Sequence, residues 1–195
     1  LITTAGKVVV ATMAGYVLEK KKFPGKKFLF KLVITAMLFT SAVTAIPNYL
    51  ILSKLGWIDS YLSIIVPAMG ASFGVFLVKQ FMVNIPNTIL EAARVDGASE
   101  HRIFWTMIVP NVKSAWLTLV IFTVQDMWST TGGTYIYSEE LKTLQTALNQ
   151  IVSSGISRTG VSAAISLIMM IVPITVFVLA QKNVVETMMS SGIKE

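Results

Sequence analysis

Long apolar stretches dominate this chain, and within them hydrophobic positions run on continuously instead of alternating with polar ones. Five stretches read as spans: residues 1–18, 28–52, 61–83, 112–128 and 161–180. Crossing a hydrocarbon core takes about 20 residues of helix, and only helices or closed barrels do so without stranding backbone polar groups in lipid. Continuous runs favour helices over the alternating strands of a barrel, so the pattern predicts an all-α, polytopic membrane protein with five transmembrane helices in this chain. Polar punctuation separates the runs. Glu19-Lys20-Lys21-Lys22-Phe23-Pro24-Gly25-Lys26-Lys27 carries a Pro-Gly turn signal after the first. Pro47 interrupts the second and, lacking a backbone donor, is expected to kink it there. A short connection with Trp57 precedes the third, and a Ser-, Thr- and Gly-rich excursion from Ser129 to Gly160 follows the fourth. After the fifth comes a tail ending in Ser190-Ser191-Gly192-Ile193-Lys194-Glu195.

The most informative polar segment lies in the middle, at 84–110. Pro86-Asn87 precede a helix start in which Thr88 and Glu91, three residues on, make a capping-box pattern. That helix runs only as far as Asp96-Gly97, because Gly97 can take positive φ without steric cost and end it in a sharp bend. A second helix then begins at Ser99, where Ile103, Phe104, Met107 and Ile108 recur at helical spacing and form an apolar face. The expectation is a knob of two short helices. On residue chemistry alone, Glu91 is a capping carboxylate and Gly97 a helix stop, roles that a docking knob also needs.

Composition agrees with the pattern: 54% hydrophobic and 13% charged residues, with a mean hydropathy of +0.70. The formal net charge of +6 does not indicate nucleic acid, because the basic residues gather beside apolar spans and interleave with aromatics on no polar module. They act as topology signals. Lys20, Lys21, Lys22, Lys26, Lys27, Lys31, Lys79, Arg94, Arg102, Lys113, Lys182 and Lys194 fall on one side, against Lys54, Lys142 and Arg158 on the other, so the 84–110 loop is expected in the cytoplasm and the Ser129–Gly160 excursion outside. Lys7 belongs to neither group: it is either an intramembrane functional residue or one that snorkels to the outer interface. With no Cys, there is no disulfide framework, thiolate metal site or Cys nucleophile. The chain opens at Leu1, already inside an apolar stretch, and is expected to lack an amino-terminal part. It shows no internal repeat and reads as a single membrane domain over 1–195.

The loop resembles the EAA loop of ABC importer permeases, in which Glu-Ala-Ala is followed by three residues, a Gly, nine residues, an Ile, one residue and Leu-Pro. Glu91-Ala92-Ala93, Gly97 and Pro110 fall in register, while Met107 and Val109 stand where the family has Ile and Leu. Phe23-Pro24-Gly25-Lys26, Ile46-Pro47-Asn48-Tyr49, Leu55-Gly56-Trp57, Gln181-Lys182-Asn183 and Ser191-Gly192-Ile193-Lys194 extend the resemblance to the carbohydrate-uptake branch, the maltose-type second permease. The resemblance implies helices two to six of a six-helix permease in the bacterial inner membrane. It also implies that Glu91, Ala92, Ala93, Asp96 and Gly97 are contacts to an ATP-binding cassette subunit, which binds the ATP and Mg. Further implied partners are a second homologous permease, an extracytoplasmic solute-binding protein and a sugar or oligosaccharide, in a setting of membrane lipid. A permease for a peptide or polyamine is the alternative within transport.

Chemistry within the chain itself is sparse. It has no G-x-x-x-x-G-K-[S/T] with which to cradle ATP phosphates, so no cofactor is expected here. Gly70-Ala71-Ser72-Phe73-Gly74 matches the nucleophile-elbow string of serine hydrolases, but that elbow needs a strand-to-helix turn and a His partner. His101, the only His, lies in the polar loop. The alternative for this string is that Gly70 and Gly74, four apart, let helices pack closely. Near the end of the fourth span, Gln125, Asp126 and Trp128 are candidate pore-lining groups that could bond hydroxyls and stack on a sugar ring. Equally, Trp128 reads as an interfacial anchor and Asp126 as a packing hydrogen-bond partner.

Overall fold

The computed structural model describes residues 1–70, 72–132, 135–153 and 159–192, and these are helical with no strand among them. They form two compact units: Leu1–Val43 with Ala68–Val120, and Thr44–Pro67 with Ile121–Glu195.

The first unit is built on α1 (Ile2–Lys20) and α5 (Ser72–Val83), which lie along one another. Glycines set how close they come. A Cβ at Gly15 would sit 3.2 Å from the Lys79 backbone nitrogen, and one at Gly74 would meet both Leu119 at 3.1 Å and Ala11 at 3.2 Å. Gly74 therefore performs the close-packing role read from its sequence. Ala11, Tyr16, Val78, Met82 and Leu119 form the buried seam. α2 (Lys26–Met37) starts after Gly25, whose φ of +84° makes the turn, and lays Phe30 on Phe76 with ring centroids 6.3 Å apart. Lys7 is only 5% exposed.

The second apolar run breaks earlier than expected. α2 stops at Met37 and α3 (Ser41–Lys54) begins afresh, with Pro47 inside it. Leu38 and Phe39 donate to Thr35 and Ala36 through tight three-residue turns of 3.0 and 3.4 Å, which close the first helix. Thr40 and Ser41 follow, hydroxyl residues whose side chains compete for backbone groups. Pro47 removes only one donor, and α3 continues through it.

In the second unit, after α4 (Leu62–Met69, of which Ala68 and Met69 belong to the first unit), the notable feature is Asp59. It is the one described non-glycine residue with positive φ, at 59°. Its N–H donates to the Tyr135 carbonyl at 2.7 Å, and its Oδ1 accepts from the amides of Tyr137 and Ser138 at 2.9 Å each. The Ser138 hydroxyl binds its other oxygen. One short acid thus holds residues 135–138 of the excursion.

Beyond the polar loop the described residues form three α-helices and one 3-10 turn. α9 (Lys113–Ser129) matches the expected fourth span, and α11 (Thr159–Gly192) continues well past the expected end of the fifth. Between them lie a 3-10 turn (Glu139–Leu141) and α10 (Leu144–Ser153), which was not anticipated in a segment read only as polar. Its signal is Leu144, Leu148, Ile151 and Val152 at helical spacing.

By length and apolarity Leu62–Val83 and Gly160–Leu179 qualify as membrane spans, and up to four spans result if Lys26–Met37 with Ser41–Lys54, and Glu100–Asn111 with Lys113–Ser129, each count as one. Large apolar side chains stay exposed along α2 and α11, among them Phe28, Leu32, Leu167 and Ile171. Such surface is what lipid or a partner helix covers.

Candidate functional site

The loop at 84–110 is anchored before it is shaped. Leu90 and, further on, Ile103, Phe104 and Ile108 are buried in the same cluster as Tyr16, Met82 and Leu119. The apolar face read from the sequence is the face that seats the loop on α1, α5 and α9.

Above that seat, α6 (Asn87–Val95) presents its other side. It begins with Pro86 as N-cap and no side-chain cap bond, so the Thr88–Glu91 capping box does not form. Proline already fixes an extended approach at φ −62° and ψ 136°, which moves the helix start upstream and places Thr88 inside the first turn. Glu91 is left exposed and uncommitted to capping. At the other end Ala98 N–H reaches the Ala93 carbonyl and Gly97 N–H the Arg94 carbonyl, both at 3.0 Å. That pair is a Schellman closure, and it requires the left-handed φ of +80° that Gly97 supplies. Ala93 and Ala98, its apolar pair, rest half-buried on the core.

The chain restarts at Ser99, whose hydroxyl accepts from the Arg102 amide at 3.3 Å and caps α7 (Glu100–Ile103). A π-helical turn (Phe104–Ile108) and α8 (Val109–Asn111) continue it, after which the axis turns by 74° into α9. Asn111 Nδ2 donates to the Met107 carbonyl at 2.7 Å and the Trp116 indole to the Val109 carbonyl at 3.2 Å, serving carbonyls at a helix end.

The five coupling candidates therefore cluster on one bend. Glu91, Ala92, Asp96 and Gly97 are exposed, and Ala93 is half-buried. Beside them Val95 is 88% exposed and Trp105 and Ile89 are nearly half exposed. An acid, small residues and bare apolar side chains on a rigid, capped bend are the makings of a protein-docking surface.

A second constellation beneath the bend did not stand out in the sequence. Glu100 accepts the Tyr16 hydroxyl and the Lys21 ammonium on Oε2, each at 2.6 Å, and Arg94 Nε on Oε1 at 2.8 Å. Lys21, then Tyr16 and Arg94, hold the Glu100 carboxyl down from its ordinary 4.5 to about 2. The one local hint was an acid in the first turn of a helix, where the dipole favours it.

The pore-lining candidates Gln125, Asp126 and Trp128 all lie on α9. Trp128 lines a cleft of about 260 Å³ with Gln145, Met170 and Pro173, but Gln125 and Asp126 are not among its walls. The Trp128 indole donates to the Met169 carbonyl at 3.1 Å. That carbonyl lies four residues before Pro173 and so lacks its helical donor. Ser72 is helical, and no strand precedes it among the described residues. His101 accepts from the Trp105 indole at 2.9 Å within the loop, so the elbow string lacks its setting.

The family model of the binding-protein-dependent transport system inner membrane component matches residues 8–190, which includes the loop and all but the ends of the chain. The chain belongs to this family. It is an inner-membrane permease component. Among its relatives, the sn-glycerol-3-phosphate transport system permease protein UgpE of Yersinia enterocolitica is 30% identical over 65% of this chain and 45% of that protein. The polygalacturonan/rhamnogalacturonan transport system permease protein YtcP of Bacillus subtilis is 31% identical over 80% of this chain and 55% of that protein. The chain thus spans about half the length of these relatives. Among solved structures, a bacterial ABC transporter involved in importing the acidic polysaccharide alginate shares the fold, with a TM-score of 0.72 at 20% identity over 99% of this chain and 71% of that one.

Proposed function

We propose that this permease component forms part of the translocation pathway of an ABC importer for a sugar or oligosaccharide, with the loop around Glu91 to Gly97 docking on an ATP-binding cassette subunit. The observation that carries this reading is the capped bend itself: a Schellman turn at Gly97 with Glu91, Ala92 and Asp96 exposed on a loop whose opposite face is buried in the helices. A carboxylate there is free to pair with a basic group in a cleft of the ATPase, and small residues let the partner approach the backbone.

The chain binds no nucleotide and catalyses no covalent step on this reading; ATP and Mg are held by the partner ATPase. A second homologous permease completes the pathway, and an extracytoplasmic solute-binding protein delivers the solute to the outer face. The names of the two relatives support a carbohydrate or polyol cargo, and both of those cargoes are anionic. A peptide or polyamine importer is the competing reading within transport. Orientation follows from the lysines: the loop faces the cytoplasm.

The test is co-purification in detergent of the full-length permease with its ATP-binding subunit, followed by ATP-driven uptake in vesicles. Solutes are offered through the binding protein as acidic and neutral oligosaccharides, a peptide and a polyamine. Glu91→Lys should abolish the complex while the chain still inserts. Retention of the complex by Glu91→Lys and by a bulky residue at Gly97 would refute docking through this bend, and uptake of the peptide or polyamine alone would refute the carbohydrate cargo.

A further inference from the structure

Three consecutive residues at the end of α1 each fasten a different piece of the first unit. Glu19 pairs with Lys79 of α5 at 2.8 Å. Lys20 donates to the Ile85 carbonyl at 2.6 Å and to Asn87 Oδ1 at 3.2 Å, gripping the chain as it enters α6. Lys21 pairs with Glu100 of α7 at 2.6 Å. Of these, Glu100 is the residue on which most contacts converge. One of its oxygens faces α1, through Tyr16 and Lys21, and the other faces back across the Gly97 bend to Arg94 of α6. A single carboxylate thus joins both arms of the bend to one helix. The Tyr16 ring also rests on Phe104 with centroids 5.6 Å apart, so the polar knot sits directly over an apolar contact between the same elements.

We propose that Glu100 is a positioning residue for energy coupling: it ties the ATPase-facing bend to α1, so that displacement of the bend moves α1 with it. This rests on the docking reading given above. Glu91 and its neighbours would make the contact with the ATPase, and Glu100, beneath them, would pass the movement on. Two of its bonds are to the long side chains of Lys21 and Arg94, which can swing with a moving loop, and the third is to the buried Tyr16, which fixes it to α1. Exposed ion pairs add little to folding, so their loss should leave the permease assembled. What should suffer is the linkage between hydrolysis and transport.

The experiment uses the complete importer, with permease partner, ATPase and binding protein, in proteoliposomes, and measures solute moved per ATP hydrolysed. Glu100→Gln should purify with a normal complement of ATPase and hydrolyse ATP, yet move about five-fold less solute per ATP, the size of effect expected of a coupling residue. Tyr16→Phe with Lys21→Met should reproduce that loss and add little when combined with Glu100→Gln, because all three act through one junction. Arg94→Met, which removes only the bond within the loop, should cost less. An unchanged solute-to-ATP ratio in Glu100→Gln would overturn the proposal, as would failure of that variant to bind the ATPase, which would make Glu100 a docking residue. A wild-type importer that neither binds an ATPase nor hydrolyses ATP would remove the transporter reading, and this inference with it.

Discussion

Asp59 and Glu100 each hold distant segments of this chain together, and they do so by different chemistry. Asp59 is short, fixed in a left-handed backbone, and grips the amides of Tyr137 and Ser138 together with the Ser138 hydroxyl. Glu100 is long, sits in the first turn of a helix, and gathers Lys21, Tyr16 and Arg94 from three directions. Backbone amides have no slack, so the Asp59 junction specifies one geometry. Lys21 and Arg94, which can rotate about several bonds, give the Glu100 junction tolerance. The first arrangement suits a platform that must stay in register, and the second suits a part that travels. Both depend on a residue at positive φ, Asp59 itself in one case and Gly97 between Arg94 and Glu100 in the other.

The backbone at Gly97 should give the largest effect. Gly97→Val forces a β-branched residue into the left-handed region, a strain of about 2 kcal/mol or more. Protease cleavage within 84–110 should rise steeply and the ATPase complex should be lost; a loop as resistant as wild type would mean the bend has another solution. Next comes Asp59. Asp59→Gly relieves the φ constraint but deletes the carboxylate, so cleavage near residues 135–143 should increase by about ten-fold if the acid is what holds them. If Asp59→Gly instead protects the segment, backbone strain outweighs the side-chain bonds and Asp59 is not what holds residues 135–138. Glu100→Gln should lower stability only slightly, by about 1 kcal/mol or less, because its charged partners Lys21 and Arg94 are about a third exposed and those pairs are screened. Even that difference should shrink in about 1 M salt, whereas the Asp59 effect should not.

The smallest effect concerns pH. The depressed Glu100 carboxyl contributes its stability above its ordinary 4.5 and loses it as pH falls toward about 2. Asp59 is also lowered, first by the Ser138 hydroxyl and then by the amides of Ser138 and Tyr137, so its sign is the same. The difference in midpoint between wild type and Glu100→Gln should therefore stay flat from pH 8 to about 5 and fall only below that. A change near neutrality would point to a group other than this carboxylate.

The loop was legible because its information is local. Gly97, Ser99 and the spacing of Ile103, Phe104 and Ile108 each encode a backbone event within a few residues, and each occurs where expected. The capping box failed locally too, since Pro86 had already set the helix start. The Glu100 knot could not be read, because Tyr16 lies 84 positions away and Lys21 looked like one more topology lysine. The second run misled for another reason: proline is the obvious breaker, yet the break lies at Leu38–Thr40, where tight turns and hydroxyls end the helix without any single strong signal. In the excursion, abundant Ser and Thr hid the helical spacing of α10.

The indole of Trp128, bound to the Met169 carbonyl, has a consequence for how this sequence can change. Pro173 withdraws a donor from α11, and an aromatic on another helix supplies one in its place. Neither residue suits the site alone. Without the proline the indole competes with a restored amide, and without the indole the carbonyl loses its donor. The two positions should therefore be inherited as a pair, and a homologue that has lost the tryptophan should have lost the proline as well.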